Sequence, residues 1–137
     1  MKRVGAYCGV DPTADSLHLG HLLPFMALFW MWFHGYQTIT LIGGSTARIG
    51  DPIDRPDSRP IISNSDLTKN ITKIHYQLKK LWANVEALGR KYHYEPHWAG
   101  THRIVNNNMW LQGVSTYEMM KRLGRHIRIG PMLAKDT

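Results

Sequence analysis

Tyr7-Cys8-Gly9-Val10-Asp11-Pro12-Thr13-Ala14-Asp15-Ser16-Leu17-His18-Leu19-Gly20-His21 is the stretch from which the rest of the chain can be read. Residues 4–9 read as a short, apolar, buried strand that leads into a loop carrying Pro12. An almost unbroken apolar run over residues 17–34, with Pro24 near its start, fits a helix buried on most sides. Gly35 ends it, and Gln37-Thr38-Ile39-Thr40-Leu41-Ile42, β-branched and bounded by glycines, is a second strand. Strand, helix and strand within about forty residues make a βαβ unit, which implies parallel pairing with a right-handed crossover.

Residues 43–60 follow as a long loop rich in Gly, Pro, Asp and Arg. A loop of that length inside a compact domain is usually functional or disordered. Ser63-x-x-Asp66 then opens a long amphipathic helix expected over residues 67–88, in which Leu67, Ile71, Ile74, Leu78, Leu81, Trp82, Val85 and Leu88 recur at steps of three and four. Lys69, Lys73, Lys79 and Lys80 lie between them; a solvated face is the preferred reading and RNA contact the minority one. Gly89 reads as the stop. After a polar, aromatic connector (residues 90–98), residues 101–105 suit a third strand ending in Asn106-Asn107-Asn108. Ser115-x-x-Glu118 is a capping box for a last helix over residues 116–126.

Composition sets the frame for these elements. A chain of 137 residues allows one domain and one core, and 43% hydrophobic with 20% charged residues is ordinary for a soluble globular protein. The longest apolar stretch, Leu22 to Phe33, is too short to span a bilayer, so no membrane segment is expected. Cys8 is the only cysteine, which excludes an internal disulfide and makes a reducing compartment the default. Met1 is followed closely by the first strand without a charged, Ser-rich leader, so any transit peptide is expected to have been removed. A formal charge of +7 suits an RNA or nucleotide partner but is also common in proteins that bind neither.

The chemistry lies where the first strand runs through its loop into a helix start. Unpaired amide N–H groups and the positive end of the helix dipole make a ready anion site there. Thr13, His18 and His21 add side-chain donors that can reach phosphate oxygens, and Gly20 leaves room for a flat ring against the backbone. Taken alone, H-x-G-H is better read as a cap and a core residue. A metal pair is the other alternative, but no third ligand stands at a plausible spacing.

The order of the whole stretch resembles a known family. Asp11-Pro12-Thr13-Ala14-Asp15-Ser16-Leu17-His18-Leu19-Gly20-His21 is similar to the form that the class I "HIGH" signature takes in tyrosyl-tRNA synthetases, with Leu19 in place of the usual Ile. Leu41-Ile42-Gly43-Gly44-Ser45-Thr46-Ala47-Arg48-Ile49-Gly50-Asp51-Pro52 resembles the family's next strand and loop, usually G-G-A-T-x-x-I-G-D-P. Ile104-Val105-Asn106-Asn107 resembles its later N-N element, although Met109 replaces the acidic residue expected next. Pro131-Met132-Leu133-Ala134-Lys135-Asp136-Thr137 is similar to the segment before the family's connecting insertion. The resemblance therefore runs in register along the whole chain. Thr72 to Trp82 and Phe29-Trp30-Met31-Trp32 look most like the fungal mitochondrial branch, which points to the mitochondrial matrix and otherwise to the cytoplasm.

The resemblance implies an α/β, Rossmann-like (HUP-type) class I catalytic fold with a parallel sheet, of which residues 1–137 would be the first part, incomplete at the C-terminus. It implies tyrosine activation by ATP, with Mg²⁺ accompanying the nucleotide, then transfer to tRNA(Tyr), with no tightly bound cofactor or site metal and a homodimer for the full-length protein. Thr13, His18 and His21 would be the catalytic phosphate group. Cys8, Gly9, Asp11, Pro12, Gly20, Arg55 and Arg59 would join them around ATP, the two arginines near the leaving pyrophosphate. Tyr7 would bind the substrate phenol and Asp51 its ammonium, with Gly9, Thr46 and Asn107 around the tyrosine. No K-M-S-K-S-type lysine segment, G-S-D-Q element or anticodon-binding domain occurs in the chain, so these residues alone are expected to be inactive. Two alternatives remain open: a tryptophanyl sibling or another H-x-G-H nucleotidyltransferase, and a non-catalytic RNA-binding or structural fragment related to intron-splicing proteins.

Overall fold

A computed structural model of the chain describes residues 4–49, 62–94 and 100–134. Strands β1 (Gly5–Val10), β2 (Gln37–Ile42) and β3 (His102–Asn106) form one sheet in the order β1-β2-β3, with both pairs parallel. Helices α1 (Leu19–Phe33) and α2 (Asn64–Lys91) connect them. The expected βαβ unit is present and extends to βαβαβ; the strands match the expected bounds to one residue. Four smaller pieces follow: α3 (Asn108–Leu111), α4 (Thr116–Leu123), a 3₁₀ turn (Gly124–His126) and α5 (Ile129–Leu133). No helix among the described residues is long and apolar enough to cross a membrane.

The core lies between the sheet and one face each of α1 and α2. Val10 and Ile42 from the strands meet Phe25, Leu28, Phe29 and Trp32 from α1 and Ile74, Leu78, Trp82 and Val85 from α2. Trp82 is central. Its ring stacks on His102 at 4.2 Å and 11°, meets Phe29 and Trp32 edge-on, and its Nε1–H donates to the Thr40 hydroxyl at 2.9 Å. Thr40 is wholly buried. This bond satisfies the indole donor that burial would otherwise strand.

Three expectations change. β1 is not buried on both sides: Ala6 and Cys8 pack on the core, while Gly5, Tyr7 and Gly9 are exposed, because both helices cover the same face of the sheet. α1 is buried along one stripe rather than on most sides. Leu19, Leu23, Met26 and Trp30, spaced by four, three and four, stay exposed on another. Gly89 does not stop α2, which continues to Lys91; it is buried where a Cβ would meet the Phe33 ring at 2.6 Å, so it serves close helix packing. Gly35 does end α1, with φ of 83°, and Ser63 and Ser115 accept the Asp66 and Glu118 N–H groups at their helix starts. The helix expected over residues 116–126 closes at Leu123, a 3₁₀ turn takes the next three residues, and α5 follows, so it is not the last helix.

The two buried threonines of β2 give a paired test. Thr40→Val leaves the Trp82 N–H unsatisfied and should destabilise by about 1–3 kcal/mol. Thr38 is equally buried, but among the described residues its hydroxyl has no partner, so Thr38→Val should be neutral or stabilising. Urea unfolding of the two variants checks the sign of each.

Candidate functional site

The C-terminal ends of the three strands meet in a polar cleft of ≈ 260 Å³ lined by Gly9, Val10, Asp11, Leu41, Gly43, Thr46 and Asn107. In parallel α/β sheets the strand carboxyl ends are where loops diverge and leave room for a ligand. One hydrogen-bonded chain organises the cleft. Thr46 Oγ1 donates to Asp11 Oδ1 at 2.7 Å and accepts from Asn107 Nδ2 at 3.2 Å. The Asn107 Oδ1 accepts from the Ser45 N–H at 2.7 Å, which fixes the orientation of that buried amide. Ser45 Oγ donates to Asn108 Oδ1 at 2.6 Å, tying the loop after β2 to the loop after β3 a second time. Gly43 is required by this crowding: a Cβ there would collide with the Asp11 carboxylate and the Thr46 hydroxyl.

His18 and His21 stand elsewhere. They line a groove of ≈ 350 Å³ between the start of α1 and the middle of α2, with Gln77, Lys80 and Asn84. Their rings are 3.9 Å apart. His18 is the N-cap of α1: its Nδ1 accepts from the Gly20 N–H at 3.1 Å, while His21 Nδ1 accepts from the His18 N–H at 3.2 Å. The imidazoles thus form a reciprocal capping box of the kind usually made by Ser and Glu. With both Nδ1 atoms accepting, both rings are Nε2–H tautomers, and those two N–H groups are the donors left for an anion. The backbone amides are therefore not the open anion site expected from the sequence, since the histidines already occupy two of them. A Cβ on Gly20 would come within 3.0 Å of the His18 ring, so the glycine makes room for that imidazole.

Other expected site residues fall in several places. Gly9, Asp11, Thr46 and Asn107 come together in the cleft. Thr13 is exposed, its N–H turned onto the Asp11 carbonyl at 2.8 Å, and lines neither the cleft nor the groove, so Thr13, His18 and His21 do not converge on the strand-end cleft. Pro12 is buried and its carbonyl accepts from Asn70. Tyr7 is 75% exposed on the uncovered sheet face, the face shared with Gly9. Cys8 points to the covered face, where burial raises its thiol pKa. Asp51, Arg55 and Arg59 lie outside the described residues. Ser45, Asn70, Gln77 and Asn108 were not singled out from the sequence: each is an ordinary polar residue until its distant partner is known.

Burial and the neighbouring His18 ring lower the His21 pKa, outweighing the opposite pull of the His18 backbone. The unfolded chain therefore takes up a proton that folded His21 resists. Stability should be flat at neutral pH and decline as pH falls from about 6.5 through the lowered folded value. A ¹⁵N NMR titration should find His21 as an Nε2–H tautomer at neutral pH with a midpoint below the ordinary one, rising when His18 is replaced by Ala.

The whole chain, residues 1–137, matches the family described as tRNA synthetases class I (W and Y). It is 56% identical over 136 residues to the mitochondrial tyrosine–tRNA ligase of Podospora anserina, covering 99% of this chain and 21% of that protein. It is 36% identical to the mitochondrial tyrosine–tRNA ligase of Saccharomyces cerevisiae, covering 98% of this chain and 28% of that one. Among solved structures, a C-terminally truncated mitochondrial tyrosyl-tRNA synthetase from Aspergillus nidulans superposes with a TM-score of 0.89 at 45% identity, over 98% of this chain and 38% of that one. The chain thus spans between about a fifth and two-fifths of the length of these relatives. With that sequence match running from end to end over a parallel sheet and a histidine-capped first helix, the chain belongs to the class I tRNA synthetases of the W and Y family.

Proposed function

We propose that this chain is the N-terminal, nucleotide-handling part of a tyrosine–tRNA ligase that works in the mitochondrial matrix. The observation that carries the reading is the pair of Nε2–H imidazole donors at the positive end of α1, one strand-end loop away from the Asp11–Thr46–Asn107 cleft. The mitochondrial assignment is supported by the names of the relatives from Podospora anserina and Saccharomyces cerevisiae. The tyrosyl rather than tryptophanyl assignment is supported by those same names and by Tyr7 on the open face. Tyrosine, ATP as its Mg²⁺ complex and tRNA(Tyr) are the proposed substrates, and a homodimer is the proposed assembly of the full-length enzyme.

In the proposed reaction a tyrosine carboxylate oxygen forms a bond to the α-phosphorus of ATP. The bond from that phosphorus to the bridging oxygen breaks, and the electron pair leaves with pyrophosphate. No proton need be removed from the nucleophile, so catalysis is positioning plus stabilisation of charge on the phosphates. His18 and His21 suit that work as neutral donors. Thr13 and, by resemblance, Arg55 and Arg59 add to it. Gly9, Thr46 and Asn107 would shape the tyrosine side, with Tyr7 reading the phenol and Asp51 the ammonium. The sequence supplies no lysine segment to hold the far side of the triphosphate, so these residues by themselves are proposed not to catalyse.

The test is made in a full-length ligase carrying this segment. His18→Ala should slow tyrosyl-adenylate formation by roughly 10²–10³-fold, the usual loss for one charge-stabilising donor, while tyrosine binding changes little. Unchanged pyrophosphate exchange would refute the phosphate role. Tyr7→Phe should erode discrimination against phenylalanine, which a hydroxyl-reading site can hold at about 10⁴–10⁵; intact discrimination would remove Tyr7 from the tyrosine site.

A further inference from the structure

α2 presents three polar side chains, Asn70, Lys73 and Gln77, to the irregular segment between β1 and α1. Asn70 Nδ2 donates to the Pro12 carbonyl at 3.2 Å. Lys73 Nζ donates to Asp15 Oδ2 at 2.6 Å. Gln77 bonds at both ends of its amide: Nε2 donates to the Asp15 carbonyl at 3.2 Å, and Oε1 accepts from the Leu17 N–H at 2.9 Å and from the Ser16 hydroxyl at 3.5 Å. Spacings of three and four place the side chains on one stripe of the helix. Every bond spans at least 58 residues of sequence, so each is a tertiary contact.

These bonds hold the main chain just before the N-cap. Leu17 N–H is adjacent to His18, and Gln77 lines the same groove as both histidines. We propose that Gln77, assisted by Asn70 and Lys73, is a positioning residue that fixes residues 11–18 so that the two imidazoles present their Nε2–H groups to the ATP phosphates. This rests on the ligase reading of the histidine pair. The three members are unequal. Lys73 and Asp15 are both exposed, and a solvent-screened pair of this kind contributes little, although the Lys73 hydrogen bond does hold the Asp15 carboxyl below its usual range. Gln77 and Asn70 are half-buried. The Gln77 amide carries a donor and an acceptor on separate atoms, so it can serve the Asp15 carbonyl and the Leu17 N–H at once.

The experiment uses a full-length ligase carrying this segment, with ATP–pyrophosphate exchange and tyrosine equilibrium binding as separate readouts. Gln77→Leu, which keeps the bulk and removes all three bonds, should lower kcat/KM for ATP by roughly ten- to a hundredfold, as expected for a displaced contact. The tyrosine Kd should stay within about twofold, because the residue acts on the phosphate side only. Gln77→Glu retains the acceptor for Leu17 N–H and should lose less. Combined with His18→Ala, Gln77→Leu should cost much less than the product of the two single losses, since it acts through that histidine. If Gln77→Leu does not fold, Gln77→Glu and Asn70→Ala are read in the same way. A folded Gln77 variant with unchanged ATP kinetics, an equal loss in tyrosine binding, or full additivity with His18→Ala overturns the positioning role. If His18→Ala is itself silent, the ligase reading of the pair fails instead.

Discussion

The burial of Trp82 sets the rotation of α2 about its own axis, and much else follows from that angle. A ring stacked on His102, wedged against Phe29 and Trp32 and tied by its N–H to a buried threonine has one seat only. With Trp82 seated, helical periodicity turns Leu67, Ile74, Leu78 and Val85 to the core as well. It also leaves Asn70, Lys73 and Gln77 about a quarter-turn round the helix, facing the segment between β1 and α1. One helix thus packs the sheet with one stripe and holds a site loop with the next. The affinity of the apolar stripe for the core brings the polar stripe within hydrogen-bond range without further device.

Much of this was legible in the residues, and the limits have physical causes. The βαβ pattern, the parallel order and the bounds of β2 follow from apolar runs separated by glycines. Gly35 is a true helix end because it takes a positive φ, which glycine adopts most readily. Gly89 looks identical in sequence but is a packing glycine, and only the approach of Phe33 tells the two apart. The apolar run of α1 gave no period with which to choose a face, so its exposed stripe at Leu19, Leu23, Met26 and Trp30 could not be foreseen. For β1 the alternation of covered and open positions depends on where two other elements pack. Asn70 and Gln77 are the clearest case: a polar residue beside an apolar stripe reads the same whether it meets water or a loop some sixty residues away.

The candidate site shows the same division. Its motif reads as a strand leading into a helix start with two histidines, and the two rings stand together at that start. What the motif could not reveal is that the rings cap the helix themselves. That arrangement has a chemical consequence. A capping Nδ1 accepts through its lone pair, so the ring nitrogen left to donate is Nε2. At His21, burial and the neighbouring His18 also lower the pKa.

The two depressions, one at the strand ends and one between the helices, are joined by the chain itself. Asp11, in the cleft, is followed by the buried Pro12 and then by the segment that Gln77 ties down before His18. Both ends of that segment are therefore anchored, by Thr46 to Asp11 on the sheet side and by the Gln77 amide on the helix side. Between the anchors the segment is held as well, by Asn70 at the Pro12 carbonyl and by Lys73 at the Asp15 carboxylate. For the proposed activation step, which needs the amino-acid carboxylate and the α-phosphorus in line, the spacing between these anchors would matter. Among the described residues, the Thr46–Asp11 bond and the double-ended amide of Gln77 hold the two ends.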